Sequence, residues 1–77
     1  MHMEEKEAFK AAIGERVRKI RKDKAISLSE LGLLGSFDKQ ALSKIENGKK
    51  EITVFSLKKV CQSLGVSLKE FFSEGFD

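Results

Sequence analysis

Residues 27–48, SLSELGLLGSFDKQALSKIENG, decide the fold. Two residues in this stretch, Ser27 and Asp38, are good helix N-caps and stand 11 positions apart. Each follows an apolar residue and is followed four positions later by another: Ile26 and Leu31 flank Ser27, Phe37 and Leu42 flank Asp38. The cap's side-chain oxygen can accept from a free backbone N–H of the first turn, and the apolar pair can close over it as a staple. The separation leaves room for about two turns of helix plus a turn. The stretch therefore reads as helices over 28–34 and 39–47, joined by a tight turn at Gly35–Phe37. That is the scale of a helix-turn-helix.

The same start pattern recurs downstream. Ile52–Thr53–Leu57 and Val66–Ser67–Phe71 predict helices over 54–64 and 68–73. Ser27 with Glu30 and Ser67 with Glu70 have capping-box spacing. Gly48 and Gly65 stand where left-handed C-terminal caps are expected. Upstream, Phe9, Ile13, Val17 and Ile20 form one stripe of a helix over 4–24. Leu57, Val60, Cys61 and Leu64 give the fourth helix its buried side, with Cys61 as a small core residue. The expected architecture is all-α: five helices in a single domain spanning 1–77.

Composition narrows the function classes. A 77-residue chain builds a marginal core, which pairing with a second copy would reinforce. No apolar run approaches the roughly 20 residues of a membrane span, and the charged start MHMEEKEAFK is unlike a secretory signal. His2 is given no role. The lone Cys61 excludes an internal disulfide, and one cysteine with one histidine cannot make a zinc site. The expectation is a reducing, cytoplasmic setting, with no metal, cofactor or small-molecule ligand. An enzyme is disfavoured: the chain has no second histidine, no Cys–His pair and no phosphate-cradling glycine loop.

Charge placement says more than the net +3. Arg16, Arg18, Lys19, Arg21, Lys22 and Lys24 crowd residues 16–24 against Asp23 alone, while residues 66–77 are acidic. The asymmetry points to a cationic face for an anionic polymer. In the third helix, Leu42 and Ile45, with Ala41 beside them, form the inner side. Gln40, Ser43, Lys44 and Asn47, at i, i+3, i+4 and i+7, form a polar stripe opposite, and Lys39 projects from the first turn. A major groove accepts one helix; Gln can pair with adenine there and Lys with guanine. Lys39, Gln40, Ser43, Lys44 and Asn47 are thus the expected base readers. Arg16, Ser27, Lys49 and Lys50 are the expected phosphate contacts, alongside backbone N–H groups at helix starts.

From Ile13 to Phe72 the chain resembles the XRE family, the lambda and 434 repressor-like helix-turn-helix domains. The resemblance rests on IGERVRKIRKDKAISLSELG, SKIENGKKEIT and SLKKVCQSLGVSLKEFF. It implies a five-helix domain with the third helix in the major groove, and a homodimer on a two-fold symmetric operator. It also implies a structural ion pair between Arg21 and Glu46. Leu28 stands where the family usually has a backbone-contacting Gln, Ser36 where it has a turn Gly, and Ile52 where it has Pro. The size and the ending KEFFSEGFD are similar to restriction–modification controller proteins. Phe71, Phe72 and Phe76 are many aromatics for one short terminal helix. Phe72 or Phe76 is therefore expected at a two-fold interface with Val54 and Phe55. The alternative is a protein-binding regulator such as an antitoxin, with secondary DNA binding; Leu28 is its best support.

Overall fold

Local chemistry places the helix starts. In the computed structural model, which describes residues 2–76 and their side chains from Glu4 onward, the order is α1 (His2–Asp23), α2 (Leu28–Gly35), α3 (Lys39–Glu46), α4 (Val54–Leu64) and α5 (Leu68–Phe71). All four expected caps form. Ser27, Asp38, Thr53 and Ser67 lie in extended backbone and accept from the N–H of Glu30, Ala41, Ser56 and Glu70. Each such bond stabilises its helix by about 1 kcal/mol. The Ser27 capping box is complete, since the Glu30 carboxylate accepts in return from the Ser27 N–H at 3.0 Å. At Ser67 only the serine half is made.

The helix ends differ from expectation by a residue or two. The last helix stops at Phe71 rather than 73, with Phe72 as its C-cap. The third helix, α3, stops at Glu46, which leaves Asn47 as its cap. Gly65 closes α4 in the left-handed region as expected. Ser36 closes α2 in the same region at φ +56°, and Ala25 does so after α1 at φ +57°. Neither residue is a glycine, and a left-handed conformation costs an L-residue about 1–2 kcal/mol.

Ile13, Val17 and Ile20 of α1, Leu31 of α2, Leu42 of α3, Leu57, Val60, Cys61 and Leu64 of α4, and Val66 and Phe71 make one core. Burial raises the pKa of the Cys61 thiol, consistent with a packing role. Leu28 adds its side chain to the core edge, which explains an apolar residue at the start of α2. Gly35 lacks a side chain because Phe37 has taken its place: a β-carbon there would lie 2.5 Å from the Phe37 ring. Lys59 of α4 then covers that ring at 5.1 Å from its centre.

Two expectations require correction. Arg16 is buried, 9 % exposed, and donates through Nε and Nη2 to the carbonyls of Phe71 and Glu70 at 2.6 and 2.9 Å. It caps the free end of α5 and is unavailable to phosphate. Phe76 does not project outward. It folds back against Phe9, Phe71 and Phe72, with ring centres 4.8–6.0 Å apart, so the tail after α5 is packed rather than free. No helix among the described residues is long and apolar enough to cross a membrane, and no group of His, Cys, Asp or Glu among them is placed to hold a metal.

Candidate nucleic-acid interface

The inner side of α3 is fixed from below. Leu42 and Ile45 are buried, as is the Glu46 carboxylate, 4 % exposed. A buried charge of this kind is tolerable only with full compensation. Arg21 of α1 supplies a bidentate fork, Nε to Oε2 at 2.7 Å and Nη2 to Oε1 at 3.0 Å. Its remaining terminal nitrogen donates to the Ile26 carbonyl at 3.0 Å. One guanidinium thus ties α1, the loop before α2 and α3 together. The hydrogen bond to Glu46 raises the Arg21 pKa further above its ordinary value. No buried side-chain polar atom is left without a partner among the described residues.

Sequence reasoning missed two residues here. Arg18 donates to Glu46 Oε1 at 3.3 Å and to Asn47 Oδ1 at 2.7 Å. The signal was present, since Arg18 and Arg21 are three apart on α1 and share a side. Gly14 is the other. It is buried where α1 crosses the end of α3, and a β-carbon there would overlap the Ile45 carbonyl oxygen and sit 2.7 Å from that of Glu46. Only glycine permits this approach. Gly48, at φ +73°, follows α3 and faces Ala11 of α1.

With its inner side held, α3 presents the other. Lys39, Gln40, Lys44 and Asn47 are exposed, and Ser43 is half-buried. The Asn47 amide nitrogen makes a long 3.5 Å contact with Ser43 Oγ. Lys39, Lys44, Lys49 and Lys50 are exposed and make no ion pair among the described residues. The Ser27 hydroxyl is engaged as an acceptor by its own helix, which leaves its proton free to donate. The cationic run of α1 divides in two. Its three arginines hold the fold together through α3 and α5, Lys19 pairs with Asp23, and Lys22 and Lys24 remain exposed.

Between α1 and the start of α4, Phe9, Ile13, Ile52, Val54, Leu57 and Phe72 line a largely apolar groove of about 200 Å³, with Lys50 also in its lining. A Lys6–Glu51 ion pair of 2.8 Å crosses its edge. Val54 and Phe55 are 77 % and 71 % exposed.

Comparison with known proteins agrees with this geometry. The helix-turn-helix family model HTH_3 matches residues 17–71. The chain is 33 % identical over 67 residues to the control protein C.MunI of Mycoplasma sp, covering 86 % of this chain and 90 % of that one. It superposes with a TM-score of 0.81 on the restriction-modification controller protein C.AhdI from Aeromonas hydrophila, at 25 % identity over 84 % of this chain and 98 % of that one. The clp gene regulator ClgR from C. glutamicum gives 0.78 at 34 % identity, covering 80 % of each chain. Paired helices, a bare polar face on the second and a family match spanning most of the core lead to one conclusion: the chain belongs to HTH_3, the XRE-type helix-turn-helix family.

Proposed function

We propose that this protein is a sequence-specific transcriptional regulator that lays α3 in the DNA major groove and acts in the cytoplasm as a homodimer. One observation carries the reading. Lys39, Gln40, Lys44 and Asn47 on the hydrophilic flank of α3 are exposed among the described residues, with Arg18 reaching only the Asn47 oxygen, while the opposite side is clamped to α1. A helix braced on one side and bare on the other is what groove reading requires, because base contacts discriminate only when their donors are held in place. Lys39, Gln40, Ser43, Lys44 and Asn47 face base edges in this reading. Lys49, Lys50 and Ser27 contact phosphates, and Arg21–Glu46 supports them from behind. Controller and regulator proteins among the relatives support the same class.

The homodimer reading is supported by the groove and the exposed Val54, Phe55 and Phe72 beside it. A monomer this small gains by covering them, and a patch that holds both knob and hole suits a two-fold contact.

Selection of bound duplexes from a random DNA pool tests both parts. A recovered site with two-fold symmetry, bound far more tightly than a scrambled duplex and weakened steeply by salt, is the expected result. Equal binding of selected and scrambled duplexes refutes sequence reading. A second reading, a protein-binding regulator, is favoured by Leu33 and Leu34 of α2, which are 83 % and 61 % exposed. It predicts that Leu33→Ser with Leu34→Ser leaves duplex affinity intact and abolishes regulation in cells.

A further inference from the structure

Arg18 does more than add a second cation to Glu46. Its Nη2 donates to Asn47 Oδ1 at 2.7 Å while its Nε reaches Glu46 Oε1 at 3.3 Å. A guanidinium has no acceptor, so the atom facing it can only be the oxygen of the amide. That settles which way the Asn47 side chain is turned. Its oxygen points back to α1, and its nitrogen, with two protons, belongs to the α3 face beside Ser43. Asn47 is the C-cap of α3, and its own N–H donates to the Ser43 carbonyl at 3.0 Å, which fixes the main chain from which the side chain starts.

We infer that Arg18 is a positioning residue that converts Asn47 from a two-way amide into a donor. Free asparagine can accept from an amino group or donate to a carbonyl, ring nitrogen or phosphate oxygen. With its oxygen turned back to Arg18, the group that Asn47 presents on the α3 face is the NH2, which addresses acceptors: a phosphate oxygen, or N7, O6 or O4 of a base. The inference rests on the DNA-binding reading of α3.

Four variants test it: Asn47→Asp, Asn47→Ala, Arg18→Ala and the double alanine variant. Each is titrated by fluorescence anisotropy against the pool-selected duplex and a scrambled one, after circular dichroism has verified its fold. Asn47→Asp keeps the oxygen that Arg18 grips but replaces the donor with an anion. It is expected to melt no lower than wild type and to bind the selected duplex roughly tenfold more weakly, a larger loss than Asn47→Ala shows. Arg18→Ala and Asn47→Ala are expected to be non-additive, with Arg18→Ala losing about threefold less affinity once Asn47 is gone. A loss confined to the selected duplex places the acceptor on a base, and an equal loss on both duplexes places it on a phosphate. Failure of wild type to bind any duplex overturns the DNA reading and this inference with it. Wild-type binding with strictly additive variants, or with Asn47→Asp as tight as wild type, overturns this inference alone.

Discussion

Gly14→Ala is the most revealing single change in this fold. In a solvent-facing helix it would stabilise the protein, because alanine exceeds glycine in helix propensity by about 1 kcal/mol. Here the added methyl meets main chain rather than side chain. It would overlap the Ile45 carbonyl oxygen and lie 2.7 and 2.8 Å from the carbonyl oxygen and carbon of Glu46. No rotamer change removes backbone, so α3 must retreat from α1 by on the order of 1 Å. Overpacking of this kind costs about 1–3 kcal/mol, and the retreat also stretches the Arg21–Glu46 fork, now 2.7 and 3.0 Å. From the middle of that range, the steric cost exceeds the propensity gain by about 1 kcal/mol. In a domain of this size that lowers the melting temperature by about 4–8 °C. Thermal unfolding followed by circular dichroism measures it, and anisotropy on a selected duplex reports the displacement of α3. A variant that melts at or above wild type with unaltered DNA affinity would refute the claim that Gly14 sets the spacing of the two helices.

Further perturbations act on independent features. Ser36→Gly and Ala25→Gly each relieve a left-handed residue and are expected to raise stability by about 0.5–1 kcal/mol, after the added freedom of the unfolded chain offsets part of the gain; denaturant titration checks this. Glu46→Gln leaves Arg21 facing a neutral group in a buried position and is expected to cost about 3 kcal/mol, read from the same titration. Lys44→Ala is expected to relax preference at one operator position at a cost of about 1–3 kcal/mol, whereas Lys49→Ala weakens selected and scrambled duplexes alike and flattens the salt dependence. The Glu51 carboxyl lies below its ordinary value because Lys6 donates to it, so that pair persists somewhat below pH 4.5 and is lost in stronger acid; NMR titration of the Glu51 side chain shows this as a depressed midpoint.

The fold was legible in the sequence because its starts are written in short-range chemistry. Ser27, Asp38, Thr53 and Ser67 each cap a helix through an atom only three residues away, so spacing alone located them. The exposure of Gln40, Lys44 and Asn47 followed from helical periodicity once Leu42 and Ile45 were assigned inward. Long-range placement was not legible. Arg16 and Arg18 are two positions apart in one cationic run, yet one turns to the carbonyls ending α5 and the other to α3. Helical spacing puts them on different sides of α1 and groups Arg18 with Arg21, but which element packs on each side is a long-range matter that the spacing does not give. Gly14 is silent for the same reason, since its partner is the main chain of residues 45 and 46. Phe76 packs against Phe9, which lies in the first helix near the other end of the chain, and no local spacing links the two.

The α1 arginines have a mechanical consequence. Arg16 grips the element beside the proposed two-fold contact and Arg21 grips the reading helix, five residues away along one unbroken rod. In the proposed homodimer this makes a caliper with welded jaws: the span between the two copies of α3 would be fixed by the rod and the two-fold contact rather than by a hinge. An operator lengthened by one base pair turns one half-site by about a tenth of a revolution, and a rigid gauge has no slack with which to follow it.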